Sequence, residues 1–443
     1  MTFHARRCTL WHRHCIRGPL MLISEQTLFQ RFFDAFSAAR SLLSRALRAA
    51  QCIRDCGTRA MGAHVLSCPT GACEQLQFHA CRHRSCPRCA QASRQRWTDS
   101  ELHRLLPCPH WHVIVTLPHE LLPLWSLNRA LFINLFMRCV RESLLQLLQQ
   151  PSYRGAPPGV LPGLLMSLHT WGRTLSQHPH VHCLISAGGI DASGAWRPMP
   201  QRWLLPVQVL QTLLRSKLLS TLSAALRTQP WVLPPSHTTE LWKSTLKTLW
   251  RKHFNVELCG PYDHGRGVVL YLARYAKGGP VPAHPCLELL EQQGPATLRM
   301  PYLDHRSHQQ RTLHITVEEF ISRVLWHAPP RGVHTTRHAG LYTSTHRVHH
   351  RSAVLALTQA TPAEAPKKWP RPSTPAPNLP QTPLRSTPCP HCGLPMLRGR
   401  ALRALRSSPP KPHHPGENSP LQKVRHLLPP IRSPTRGPTL RSS

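Results

Sequence analysis

The chain has 443 residues, of which 55 are Lys or Arg, 19 are Asp or Glu, 31 are His and 16 are Cys, and its net charge is +36. This length allows two or three domains with a sizeable core, and a positive charge of this size makes nucleic acid the expected partner. No apolar run approaches the roughly 20 residues of a membrane-spanning helix, so no membrane partner is expected, and the few carboxylates leave little choice for an acidic metal triad.

The amino-terminal segment suggests the compartment. Residues 1–24 show no hydrophobic period and are interpreted as a disordered leader. They include Arg6 and Arg7, but the apolar run from Leu20 to Ile23 is too short for a signal peptide. We therefore expect a reducing, cytoplasmic location, in which clustered cysteines are zinc ligands rather than disulfides.

The first half of the chain contains helices, a cysteine-rich block and a strand. Apolar residues at helical spacing predict a helix or helix pair over 26–52, followed by the cysteine-rich block from Cys56 to Cys89. His112 to Leu117 is typical of a β-strand that stops at Pro118. A long helix is predicted over 121–149, and a Pro/Gly loop over 151–162.

The second half alternates strands and helices and ends in a tail. The predicted strands are 164–170, 181–187, 297–302 and 312–317, and the predicted helices are 204–226, 241–254, 268–277 and 318–326. After about residue 358, Pro, Ser, Thr, Arg and His dominate, so we predict a disordered basic tail. One pair, Cys389 and Cys392, stands out in this tail. It has the form of half a metal site, but without a second pair the interpretation as ordinary cysteines is favoured.

The cysteine-rich block has the spacing of a structural zinc site. Two short-spaced pairs, Cys68 with Cys73 and Cys86 with Cys89, predict one tetrahedral four-thiolate site. Other residues of the block could complete a second site or be ordinary buried residues; they are Cys56, His64, Cys81 and His83. The arginines around the cysteines predict contacts with phosphate.

The segment His178-Pro-His-Val-His182 predicts a metal site on a strand. Alternation of side chains places His178, His180 and His182 on one face, and two imidazoles two residues apart can bind one ion. We predict His180 and His182 as ligands, with His112 as a further candidate and His110 as its competitor. The alternative is ordinary strand histidines or a basic surface.

Two of the six tyrosines, Tyr271 and Tyr275, are four residues apart in a helical run. Residues i and i+4 share one helix face, so both hydroxyls could reach one site as nucleophiles. The alternative is a pair of tyrosines that pack in the core from an amphipathic helix. The candidate metal site at His180 and His182 favours the nucleophile interpretation instead.

These motifs together resemble a known family. In order, they are the cysteine-rich block, VIVTLPHE at 113–120, HTWG at 169–172 with HPHVH at 178–182, YLARY at 271–275, and the segments 319–321 and 337–342. This set resembles the two-tyrosine HUH transposases of insertion-sequence family ninety-one, with their amino-terminal zinc-binding domain. The likeness covers about residues 40–350; the leader and the Pro-rich tail are departures from it.

The resemblance implies an enzyme that nicks and rejoins single-stranded DNA at the ends of a mobile element. A tyrosine hydroxyl would form a 5′-phosphotyrosine and release a 3′-OH, so no nucleotide cofactor is needed. The implied metals are catalytic Mg²⁺ or Mn²⁺ on His180 and His182, and structural Zn²⁺. The implied location is the bacterial nucleoid. A rolling-circle replication initiator or relaxase, and a decayed zinc-dependent DNA-binding protein, are the alternatives.

The predicted fold is α+β, and the resemblance makes it an HUH-type antiparallel sheet with helices on one face. The predicted domains are a leader (1–24), a helical and zinc-binding domain (25–105), a catalytic domain (106–350) and a disordered tail (351–443). The oligomeric state is not predicted.

Overall fold

A computed structural model describes residues 21–149, 159–199, 205–234, 238–276, 279–281, 287–291, 294–304, 307–358 and 387–404. Its helices are α1 Glu25–Ala38, α2 Ser44–Asp55, α3 Pro87–Arg104, α4 Leu122–Leu127, α5 Arg129–Gln149, α6 Val207–Thr228, α7 Thr239–Arg251, α8 Arg266–Ala276, α9 Val317–Trp326 and α10 Arg347–Thr358. Its strands are β1 Met21–Leu22, β2 Ala63–Ser67, β3 Glu74–Phe78, β4 His110–Thr116, β5 Leu161–Trp171, β6 Gln177–Ile190, β7 Trp196–Pro198, β8 Val256–Tyr262, β9 Glu288–Leu290, β10 Thr297–Leu303, β11 Gln310–Thr316, β12 Thr336–Gly340 and β13 Leu397–Leu402.

The central sheet runs in the order β12-β5-β6-β4-β8, with β7 paired to β6, and its pairings are antiparallel. One face is apolar because alternate residues of the strands, such as Val113, Met166 and Cys183, point into a core shared with α5 and α6. The other face contacts α8 and parts of α3 and α10 through residues such as Leu184 and Leu272. The α+β class and the antiparallel sheet predicted from the sequence are confirmed, and α8 covers part of the second face.

A second core joins the first two helices to the carboxyl-terminal part of the predicted catalytic domain. Helices α1 and α2 pack with α9 against the sheet β1-β9-β10-β11, where Phe29, Leu289 and Phe320 are buried together. Met21 and Leu22 pair with β9 rather than belonging to a leader. The predicted boundary at residue 105 is therefore not a boundary between cores, because residues 23–53 and residues 287–328 contribute to one core about equally.

Part of the predicted tail is ordered. Helix α10 runs to Thr358, and β13 pairs antiparallel with β2, which pairs in turn with β3. The prediction of a disordered tail from residue 351 is thus wrong for 351–358 and 387–404, whereas 359–386 and 405–443 lie outside the described residues, as do 1–20 of the leader and 150–158 of the loop. None of the described helices is both long enough and apolar enough to cross a membrane.

A buried polar network joins β4 to the segment after β12. The Nδ1–H of His110 donates to the Cys108 carbonyl at 2.8 Å, so Nε2 accepts from the Tyr342 hydroxyl at 2.5 Å. The backbone N–H of Leu106 donates to the same hydroxyl. Gly265 lies against the His110 ring with φ +57°, and a Cβ there would come within 2.9 Å of the imidazole, so only glycine fits.

This network requires a neutral His110. Burial lowers the pKa of His110 to about 4, whereas an unfolded histidine titrates near 6.5. Between these values the unfolded chain binds more protons, so the free energy of unfolding falls as the pH falls from 6.5 towards 4.

We expect His110→Asn to reduce the fall in the free energy of unfolding by about 1.4 kcal/mol per pH unit between pH 6.5 and about 4. Denaturant unfolding of both proteins at pH 7, 6 and 5 measures the difference, and His349→Asn, at an exposed position, is the control. Equal pH dependence of wild type and His110→Asn would show that His110 is not held neutral by the fold.

Candidate active site and cysteine clusters

The register between β5 and β6 assembles the histidines. His169 lies opposite His180, and Ser167 lies opposite His182, on the face that α8 covers. Because side chains alternate along each strand, the three imidazoles of His169, His180 and His182 converge from two strands. Each offers a ring nitrogen within 4.8 Å of the others. The ring centroids of His169 and His182 are 4.1 Å apart.

The hydrogen bonds of these rings leave nitrogens free for a metal ion. Both ring nitrogens of His169 and the Nε2 of His182 are buried without a hydrogen-bond partner. Leaving such groups unpaired is unfavourable, and a metal ion would satisfy them. The Nδ1–H of His180 donates to the His178 carbonyl at 2.6 Å, which leaves the Nε2 lone pair available. The residues therefore fit a metal ion.

His112 supports the site from β4. Its Nε2 lies 2.8 Å from the Nδ1 of His182. In the tautomer that leaves Nε2 of His182 for a metal, the Nδ1–H of His182 donates to His112. The prediction of His112 as third ligand is corrected here, because His169 occupies that position and His112 contacts the far side of a ligand ring. His110, its competitor, bonds to Tyr342 instead.

Burial keeps the imidazoles neutral. It lowers the pKa of His180 and of His112 to about 4 and that of His182 to about 2, and it holds the pKa of His169 well below its usual value. Neighbouring histidines lower the pKa of each of the three candidate ligands further. Neutral imidazole is the form that binds metals, so no deprotonation is needed near pH 7.

Helix α8 places both tyrosines over the histidines. Its buried stripe includes Val269, Leu272 and Ala273, and Tyr271 and Tyr275 lie beside this stripe one turn apart. The Tyr275 ring stacks on His169 at 4.3 Å between centroids, and the Tyr271 ring lies 5.6 Å from His182. The two tyrosine rings are 5.3 Å apart.

The environment of Tyr271 keeps its phenol protonated in the free protein. Burial and the adjacent Tyr275 raise the pKa of Tyr271, while the Arg173 and Arg274 guanidiniums act in the opposite direction. Tyr271 is nevertheless 39% exposed, so a ligand can reach it. A reaction that uses this hydroxyl as a nucleophile must therefore lower its pKa at the moment of attack.

Two contributors were not predicted from the sequence. His169 was noted only within a motif, because nothing local shows that β5 pairs with β6 in this register. Ser167 has a buried hydroxyl without a hydrogen-bond partner opposite His182. The exposed His178 lies outside the ligand group, although its ring is 5.0 Å from that of His180.

The cysteines form two clusters separated by the β2–β3 hairpin. The hairpin-base cluster consists of Cys56, Cys81, Cys86 and Cys89, whose sulfurs lie within 4.8 Å of one another. Backbone N–H groups of residues 81, 82 and 83 donate to three of these sulfurs. Such a four-sulfur set, with Sγ–Sγ distances of 3.5 and 3.6 Å, suits tetrahedral zinc, for which about 3.8 Å follows from Zn–S bonds of ~2.3 Å.

The predicted site of Cys68, Cys73, Cys86 and Cys89 is corrected by this arrangement. Cys68 and Cys73 lie at the turn of the hairpin, whereas the hairpin-base cluster lies at its open end. Five strand residues separate the two ends by about 16 Å, so one ion cannot bind both pairs. Cys56 and Cys81, which the sequence left open, complete the cluster with Cys86 and Cys89.

Two family models match parts of this chain, and two similar proteins match most of it. A family model described as "Transposase zinc-binding domain" matches residues 28–117, and one described as "Putative transposase" matches residues 163–349. The chain is 30% identical over 364 residues to the "Transposase for insertion sequence element IS801" of Pseudomonas savastanoi pv. phaseolicola, covering 79% of this chain and 82% of that protein. It is 28% identical over 354 residues to the "Putative transposase y4qJ" of Sinorhizobium fredii, covering 77% and 87%. No solved structure shows a significant match. The zinc-binding match and the hairpin-base cluster support a structural Zn²⁺.

The histidine arrangement predicts how substitutions change metal affinity. Loss of a residue that orients a metal ligand typically weakens metal binding ~10–100-fold, and we expect this loss for His112→Ala. His169→Ala removes a candidate ligand itself, so we expect it to weaken Mn²⁺ binding at least as much. His178→Ala is the matched control, because the backbone carbonyl that bonds His180 remains. Calorimetric titration of the full chain with Mn²⁺ measures these affinities. An unchanged affinity in His169→Ala would contradict the assignment.

Proposed function

This chain belongs to the transposase family of insertion-sequence elements, a family of DNA-processing enzymes, and we propose that it cleaves and rejoins single-stranded DNA through a covalent tyrosine intermediate. The observation that carries this proposal is the placement of Tyr271 and Tyr275 against the three buried histidines. Two hydroxyl groups and a candidate metal site thus share one face of the central sheet.

The covalent step is a transesterification. The hydroxyl oxygen of one tyrosine attacks the scissile phosphorus, the bond from phosphorus to the 3′-oxygen breaks, and the phosphate stays on the tyrosine as a 5′-phosphotyrosine. The tyrosine loses its proton to solvent, and the departing 3′-oxygen takes one up. One phosphoester replaces another, so rejoining needs no nucleotide cofactor.

The chain's own residues position this step. His112 and the His178 carbonyl hold the rings of His182 and His180 through their Nδ1 atoms, so the Nε2 atoms are left to bind an ion. A divalent ion bound there would act as a Lewis acid on the scissile phosphate and lower the barrier to attack. Arg173 and Arg274 favour the phenolate form of Tyr271 and, as cations near this hydroxyl, would attract the phosphate of a DNA strand.

The three histidine ligands favour one of the two candidate metal ions over the other. Three imidazoles are softer ligands than Mg²⁺ prefers, so of the two ions that the family resemblance implies, Mn²⁺ fits this group better. We expect nicking to be faster in Mn²⁺ than in Mg²⁺ at equal concentration and to stop in chelator. A rate in Mg²⁺ that equals or exceeds the rate in Mn²⁺ would contradict this preference.

A second tyrosine suits a two-step exchange. While Tyr271 or Tyr275 holds one 5′ end, the other tyrosine, with its ring 5.3 Å away, is available to cleave a second strand. The 3′-OH released in the first step can then attack the phosphotyrosine formed in the second. Rejoining of donor and target strands therefore needs both tyrosines, whereas a single nick needs one.

Tyrosine variants test this proposal. On a single-stranded oligonucleotide that carries the end of the element, we expect Tyr271→Phe/Tyr275→Phe to form no covalent adduct, because no hydroxyl remains over the histidines. Each single variant is expected to nick without completing strand transfer. Denaturing gels report the adduct, and Tyr302→Phe on β10 is the matched control.

DNA binding separates loss of chemistry from loss of folding. The double variant should bind the oligonucleotide as tightly as wild type does, because the basic surface is unchanged. An adduct that persists in the double variant would disprove the tyrosine mechanism. Binding by wild type without any metal-dependent nicking would instead support a DNA-binding protein that has lost its chemistry.

A further inference from the structure

A second sulfur cluster lies at the tip of the β2–β3 hairpin. This hairpin-tip cluster consists of Cys68 and Cys73 from the hairpin turn and Cys389 and Cys392 from the carboxyl-terminal segment. Sγ of Cys68 lies 3.4 Å from Sγ of Cys392, and Sγ of Cys73 lies 3.4 Å from Sγ of Cys389. Cys68, Cys389 and Cys392 offer sulfurs within 4.8 Å of one another.

Each half of the cluster has the local geometry of a zinc-binding turn. In the hairpin half, the N–H of Cys68 donates to the Cys73 carbonyl at 2.9 Å, and Thr70 contacts the Cys68 sulfur at 3.0 Å. In the other half, the N–H of His391 donates to the Cys389 sulfur, and the turn closes with Gly393 at φ +71°. Backbone N–H groups aimed at sulfur stabilise the thiolate form that binds metal.

Packing around the cluster is consistent with a built site. Cys68 and Cys389 are 5% and 2% exposed and pack with Leu66 and Met396. Directly after Met396, β13 pairs with β2, and Arg398 contacts the His64 ring. The two halves thus meet through a strand pairing as well as through sulfurs, although more than 300 residues separate them in sequence.

We propose that the hairpin-tip cluster is a second structural zinc site, which fastens the carboxyl-terminal segment to the zinc-binding domain. Four thiolates from two turns match the ligand set of structural zinc, and they leave no open position for chemistry. Cys389 and Cys392 of the Pro-rich tail supply two of the four ligands of a zinc site, and Cys68 and Cys73 supply the other two. Neither family match covers residues 389–392.

Zinc content tests the stoichiometry. All proteins carry His180→Ala/His182→Ala, so that the histidine site does not bind zinc. In this background the full chain, purified with zinc present and freed of loosely bound metal, should hold two zinc ions, and Cys389→Ser/Cys392→Ser should hold one. Cys68→Ser/Cys73→Ser should lose the same ion, and Cys259→Ala, outside both clusters, should keep two. In the same background, one zinc in the chain with all its cysteines, or two in Cys389→Ser/Cys392→Ser, would overturn the proposal.

Thiol counting separates zinc from the other chemistry that four close sulfurs allow. If the cluster binds zinc, all four thiols react with a thiol reagent after denaturation in chelator without reductant. If two disulfides form instead, these four thiols become reactive only after reduction. That result would overturn the proposal.

Retention of the tail tests the fastening. A protease site is inserted between residues 370 and 371 of the full chain, and the chain is cut there. We expect the fragment from 371 to 443 to co-elute with the rest of the protein in the wild-type background and to separate in the Cys389→Ser/Cys392→Ser background. Retention in both backgrounds would show that strand pairing alone holds the segment, and release in both would show that zinc does not fasten it.

Discussion

The pairing register of β5 with β6 is the constraint on which the candidate site depends. His169 opposes His180 in this register, so three imidazoles from two strands share one face. A shift of one residue would turn His169 towards the apolar core of α5 and α6 and would turn Leu168 towards the site. The apolar alternation of β5 and β6 therefore specifies both the core and the position of the ligands, and the site follows from the same pattern that folds the sheet.

The site is less favourable for stability than an apolar patch of the same area would be. His169 is 1% exposed and has no hydrogen-bond partner for either ring nitrogen. Unpaired buried nitrogens destabilise a fold by about 1–3 kcal/mol each, and the neutral state of the imidazoles avoids the larger penalty of buried charge. In a chain with a net charge of +36, neutral ligands also avoid further repulsion between cations. The unpaired ring nitrogens are therefore best explained as a site that a bound ligand completes.

The sequence predicts what is local and misses what depends on pairing across the chain. The strand with His180 and His182 and the helix with Tyr271 and Tyr275 follow from periods of two and 3.6 residues, and both are found where expected. His169 could not be predicted as a ligand, because strand register is set by contacts between distant segments. The packing of α1 and α2 on residues 287–328 was missed for the same reason, since an amphipathic helix does not specify its partner.

The cysteines show this limit most clearly. Spacing alone joined Cys68 and Cys73 to Cys86 and Cys89, because each pair has the form of a zinc turn and the pairs are close in sequence. The five-residue strands of the β2–β3 hairpin separate them, since an extended strand is the longest spacer per residue that a folded chain has. Strand β3 lies between the two cysteine pairs in sequence and therefore places them at different sites. Each site must then take its remaining ligands from elsewhere: Cys56 and Cys81 at the base, and Cys389 and Cys392 at the tip.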